Sequence, residues 1–187
     1  MNEAIEKIIT NAIIVFNRYG ITKAPVSSIA KAAGISKGTL YYYFPAKEDL
    51  VDECFHYVKS NAVAYTVANI DFTEKPEYIV KSLVRNSFRW PLERPGELEY
   101  LDLYIHMHFN SKNVFNLFPF GLFENDYFRK NFSEYKRDEL PNEVLNHLIG
   151  VVITTLSKFL ILYPENFQNE AYIKSASELV WSMISKK

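Results

Sequence analysis

The chain has 187 residues, of which 48% are hydrophobic and 23% charged, and a formal net charge of −1. That composition suits one large or two small globular units and excludes a disordered or fibrous chain. The single cysteine, Cys54, excludes an intramolecular disulfide and fits a reducing compartment.

Charge is unevenly spread. From Lys7 to Lys47 the chain carries Lys7, Arg18, Lys23, Lys31, Lys37 and Lys47 without one Asp or Glu, whereas residues 48–187 hold 15 basic and 20 acidic side chains. A basic head on an acidic body points to a polyanionic partner for the head alone. The opening MNEAIEKIIT has charges where a secretory leader needs an apolar core. No uncharged apolar run reaches the ~18 residues of a membrane span, so a cytoplasmic location with no membrane partner is expected.

In chain order, Ile5, Ile8, Ile9, Ala12, Ile13 and Phe16 predict an amphipathic first helix that Gly20 closes. A short helix is expected from about Pro25 to Ala33, broken by Gly34. Ser36 is a good N-cap for a third helix over residues 37–43, which Pro45 ends. Two short helices about a glycine-containing turn have the layout of a helix-turn-helix. A long helix follows from Lys47 to about Asn69 with no flexible linker before it. Further helices are expected near 76–90, 97–110, 122–138, 142–163 and 169–185, with breaks at PLERPG, FPFG, Pro141 and Pro164. With no sustained period-two alternation, the fold class is all-α: a three-helix head over residues 1–47 and a helical bundle over residues 48–187.

The stretch SKGTLYYYFPAK, residues 36–47, breaks local rules. A helix start favours acids over Lys37, and three consecutive tyrosines span about 200° of a helix, so they cannot all be buried. On a helical wheel Leu40 and Phe44 share a core stripe with Ile35 and Ile29. Tyr42 lies opposite, with Gly38 and Thr39 beside it and Tyr41 and Tyr43 on the shoulders. Lys37 and the free N–H groups of the first turn make an anion site, and Gly38 permits close backbone approach. A phenol can donate to phosphate while its ring packs on sugar or a thymine methyl. Taken singly these residues are ordinary exposed side chains; on one face of an acid-free helix-turn-helix they point to double-stranded DNA.

The string IIVFNRYG…VSSIAKAAGISKGTLYYYFPAKEDL resembles the N-terminal DNA-binding domain of TetR/AcrR-family transcriptional regulators over residues 4–50. The resemblance implies a homodimeric, usually repressing protein on a palindromic operator, with a C-terminal part that dimerises and binds a small-molecule inducer. It implies DNA contacts from Ser27, Lys37, Gly38, Thr39, Tyr41, Tyr42 and Tyr43, with Lys47 on a phosphate. Where many members open the second helix with a threonine cap and a bulkier polar residue, this chain has Pro25, Val26, Ser27 and Ser28; Ser27 stands in for the phosphate contact.

For the ligand, the aromatic segment 115–135 either lines an apolar cavity or fills a core. Trp90, Tyr104, His108, Phe115, Phe118, Phe123 and Tyr127 are the expected ligand-facing residues, and tilting of the helix after Lys47 is the expected route to the DNA face. Residues 144–162, apolar nearly all round, and the stripe Tyr172, Ala176, Leu179 and Met183 suggest dimerisation through the last two helices. His106 and His108 diverge on a helix, and Asp102 with His106 and His147 makes a weak metal set, so no metal or cofactor is expected. Neither a glycine-rich phosphate loop nor a nucleophile elbow is present, and Cys54 and His56 diverge, so an enzyme is not expected. An architectural or division-associated DNA-binding protein with the same head and no inducer is the alternative.

Overall fold

The computed structural model describes residues 2–108, 130, 131, 135, 139–163 and 170–186. Among them are eight α-helices and no strand: α1 (Glu3–Tyr19), α2 (Val26–Ala33), α3 (Lys37–Tyr43), α4 (Lys47–Val67), α5 (Pro76–Glu93), α6 (Pro95–Met107), α7 (Asn142–Leu162) and α8 (Glu170–Ile184). The helix expected over 122–138 falls almost wholly outside the described residues.

The termini of the first helices follow from their sequence. Asn2 caps α1 by accepting the Ala4 N–H at 3.0 Å, with Glu3 and Glu6 in the positive first turn. Gly20 (φ 76°) closes α1 through its N–H to the Phe16 carbonyl, and Gly34 (φ 71°) closes α2 onto the Ala30 and Lys31 carbonyls. Positive φ at both positions is what only glycine adopts freely.

Pro91 does not end α5, which runs on to Glu93. A proline in the last turn costs one ladder bond at a point where the helix is already finishing. Pro95 then occupies the first position of α6, so PLERPG is a helix end followed at once by a helix start.

The chain divides into two compact units, residues 1–60 with 96–111 and residues 61–95 with 112–187. The first unit is larger than the three-helix head, because part of α4 and nearly all of α6 complete it. Its core holds Ile9, Phe16, Ile29, Leu40, Leu50, Val51, Tyr100 and Leu101. Tyr100 packs its ring 5.8 Å from that of Phe16 and donates its hydroxyl to the Val51 carbonyl at 2.6 Å. Asn17 donates to the Gly96 carbonyl at 2.8 Å.

The second unit packs α5 against α7 and α8. Its core is Ile79, Val80, Leu83, Val84, Phe88 and Trp90 of α5, Leu145, Ile149 and Ile153 of α7, and Ile173 and Val180 of α8. The end of α4 joins this unit through Asn86, whose amide donates to the Thr66 and Ala68 carbonyls at 3.0 Å each. Those carbonyls have no partner further along α4, so Asn86 satisfies them.

By length and apolar composition α7 would pass for a membrane span. Leu145, Ile149, Ile153 and Leu160 are buried in the unit's own core, while Leu148, Val151, Phe159 and Leu162 are exposed.

Cys54 is fully buried and its thiol points to the Ile9 carbonyl at 3.8 Å. Burial, reinforced by Glu53, pushes the thiol well above its ordinary value. The thiolate is the reactive form, so Cys54 belongs to the packing and to no nucleophilic chemistry. Native protein at neutral pH is expected to react with an aromatic disulfide reagent orders of magnitude more slowly than denaturant-unfolded protein; equal rates would contradict the burial.

Candidate nucleic-acid interface

The interface is built on α3, and the sequence of α3 sets its two faces. Ser36 accepts the Thr39 N–H at 3.0 Å, and its hydroxyl also bonds the Thr39 hydroxyl at 2.9 Å. This cap fixes the rotation of the helix, and Leu40 (2% exposed) with Phe44 anchors it to the core. Ile29 is fully buried beneath them, and Ile35 is half-buried.

The opposite face is open. Tyr42 is 81% exposed and Tyr41 46%; Lys37, Gly38 and Thr39 are exposed, and Tyr43 is half-buried. The Tyr43 ring stands edge-on to that of Tyr42 with centroids 5.3 Å apart, which braces the outermost phenol. Ser27, on the first turn of α2, is exposed as well. The side chain of Pro25, at the N-cap of α2, makes no cap bond.

Gly38 is informative because the fold makes no demand for it. A Cβ there would meet only the Ser36 hydroxyl at 3.6 Å, an ordinary contact, and its φ is not positive. Glycine inside a helix costs up to about 1 kcal/mol relative to alanine. A residue that weakens its helix, with room for a methyl group inside the protein, is explained by close approach of something outside it.

Lys47 sits differently from Lys37. Its ammonium turns back into the head and donates to the Thr22 carbonyl at 3.0 Å and the Ala24 carbonyl at 2.8 Å. Desolvation lowers its pKa, partly offset by Glu48. Two of its three N–H donors are occupied, leaving one for a phosphate. Sequence reasoning missed this tie of α4 to the loop after α1, since a lysine at a helix start says nothing of which distant carbonyls it meets. Asp49 accepts the Ala46 N–H at 2.8 Å and caps the same end.

Of the residues expected to face a ligand, Trp90, Tyr104 and His108 are among those described. Trp90 is fully buried in the core of the second unit. Tyr104 lies in the first unit, stacked on Phe55 at 4.2 Å, with its hydroxyl donating to Asp52 at 2.8 Å. Burial and Asp52 both push that phenol upward. His108 packs on the Tyr104 ring at 4.2 Å. Phe115, Phe118, Phe123 and Tyr127 lie outside the described residues. No group of three His, Cys, Asp or Glu side chains among the described residues is placed to hold a metal ion.

A capped recognition helix in a helix-turn-helix, with its polar and phenolic face outward, defines the class: a helix-turn-helix DNA-binding protein. Residues 8–54 match the family described as bacterial regulatory proteins, tetR family, and this match supports a regulator of that kind. The regulator AcrR of Shigella flexneri is 34% identical over 59 residues, covering 32% of this chain and 27% of AcrR. The negative transcriptional regulator of the biofilm operon icaADBC, IcaR of Staphylococcus epidermidis, is 27% identical over 106 residues, covering 54% of this chain and 52% of IcaR. The match thus spans between a quarter and about half of the length of these curated relatives. A solved structure of a tetR-family transcription regulator from Shewanella sp. PV-4 has a TM-score of 0.87 at 20% identity, covering 100% of both chains, which is a likeness of fold.

Proposed function

We propose that the chain is a cytoplasmic transcriptional repressor that binds operator DNA as a homodimer and leaves it when a small molecule binds. Residues 1–47 are the DNA-binding domain, and residues 48–187 serve dimerisation and ligand binding. The observation that carries this reading is the outward face of α3. Lys37, Thr39 and Tyr42 stand exposed around a glycine that the fold itself does not need, in a head without acidic residues after Glu6.

Each residue has a distinct role. Lys37 neutralises a phosphate, and Ser27 donates a hydroxyl to another. Thr39 and Tyr42 meet base edges in the major groove, with Tyr41 and Tyr43 packing on the backbone beside them. Gly38 lets the helix backbone come close to the DNA. Lys47 holds α4 against the loop after α1, with one N–H left for a phosphate. Because α4 contributes to both compact units, it is the element through which a ligand in the second unit would disturb the DNA face. A coupling of about 1–3 kcal/mol would lower operator affinity 5- to 150-fold.

Gly38→Ala separates a folding role from a binding role. The substitution is expected to stabilise the free protein by up to about 1 kcal/mol in thermal or denaturant unfolding, because alanine suits the helix better. It is expected to weaken binding to duplex DNA at the same time. Lys37→Ala should weaken binding across all sequences and reduce the salt slope by about one phosphate's worth. A Gly38→Ala protein that binds DNA as well as the parent would remove the observation on which this reading stands.

A further inference from the structure

Between α5 and α8 the second unit holds an open groove of about 550 Å³, within the range of small-molecule sites. On α5 its wall is the run Tyr78, Lys81, Ser82 and Arg85, residues at i, i+3, i+4 and i+7 of one helical face. On α8 it is Ala171, Ile173, Lys174 and Ser177. Three cations from two helices thus meet at one concave surface, although residues 48–187 carry more acidic than basic side chains. Tyr78 is 56% exposed on the wall and offers a ring face.

Each of the two lysines has a carboxylate beside it on its own helix. Glu77 pairs with Lys81 at 2.6 Å and Glu178 with Lys174 at 3.9 Å, both within their own helices and both partly or largely exposed. Exposed i,i+4 pairs contribute little, so exchanging such a partner for a ligand anion costs little. Arg85 adds a planar fork suited to a carboxylate.

We propose that this groove binds a small aromatic carboxylate, its anionic end between Lys81, Arg85 and Lys174 and its ring against Tyr78. This rests on reading the second unit as the ligand-binding part and gives that ligand a chemical class that the apolar expectation from the sequence did not include. The acid is recognised by charge-assisted hydrogen bonds.

Calorimetric titration of the full-length, DNA-free protein with 4-phenylbutyrate and with the neutral 4-phenylbutanol tests it. The acid is expected to bind at least about tenfold more tightly than the alcohol, the margin of one charge-assisted hydrogen bond. Arg85→Gln and Lys174→Gln should each reduce acid affinity by about tenfold, leaving helix content and alcohol binding unchanged. Equal affinities for acid and alcohol, no binding of the acid, or undiminished acid affinity in both variants would overturn the proposal. If the acid binds with this selectivity but leaves duplex DNA affinity unchanged, the groove stands and the effector part of the proposed function falls.

Discussion

Leu40→Ala is expected to lower the stability of the first unit by about 2–5 kcal/mol, the range for removing a buried leucine and leaving a cavity. Leu40 is 2% exposed on a helix of only seven residues, Lys37–Tyr43, and is the one residue of α3 itself that is buried. With Phe44 it fixes which way Tyr42 and Lys37 point. Denaturant unfolding should show the loss directly, and DNA binding should fall with it even under conditions where the protein remains folded, because α3 would no longer be held in one rotation. A change below about 1 kcal/mol would mean that α3 is positioned by something other than this contact.

The second large effect concerns assembly. Val151, Phe159 and Leu162 of α7 and Tyr172 and Leu179 of α8 are exposed, Leu162 at 74%. An apolar face of this kind on two neighbouring helices suits a partner of the same kind, and a two-fold dimer would pair them. Ala176, expected on the same stripe, is buried in the core of its own unit. Replacing Val151 and Phe159 together with glutamate is expected to give a monomer in sedimentation at micromolar concentration. Both side chains are exposed, so the fold should survive, as circular dichroism would report. Operator affinity should drop by about 10²- to 10⁴-fold, since linked half-sites are bound with an effective concentration that a monomer lacks. In the dimer the two recognition helices would stand about 34 Å apart or a multiple of it. A parent protein that sediments as a monomer, or a double variant that remains a dimer, would contradict this.

The head was legible because its signals are local. Gly20 and Gly34 stand where the chain needs positive φ, Ser36 stands where a cap is needed, and the stripe of Leu40 and Phe44 separates a buried face from an open one. Each can be read within four residues of itself. What could not be read was how distant segments complete the head. Tyr100 reaches the Val51 carbonyl and Tyr104 reaches Asp52, about fifty residues back along the chain, and neither partner carries a mark in the sequence. The family pattern implies a phosphate contact for Lys47, whereas its two carbonyl partners depend on where the loop after α1 lies. Pro91 marks a break by sequence because proline ends most helices, yet near the last turn its missing N–H matters little. Of the residues expected to orient a ligand, Tyr104 bonds Asp52 and stacks on Phe55, and Trp90 is buried; neither surrounding carries a local mark in the sequence. On α5, Lys81 and Arg85 are four apart and share a face with Tyr78 and Ser82, which the sequence spacing allows to be read; the Lys174 that lines the same groove comes from a helix about ninety residues later.

The central claim is that the outward face of α3 reads DNA sequence. Selection of bound duplexes from a randomised pool tests it most directly, with the parent protein and the Lys37→Ala and Tyr42→Ala variants run side by side. The parent is expected to enrich one two-fold symmetric sequence, Lys37→Ala to enrich the same sequence more weakly, and Tyr42→Ala to lose or alter preference at defined positions in each half-site. No enrichment by the parent, or the same sequence enriched equally by all three proteins, would contradict the claim.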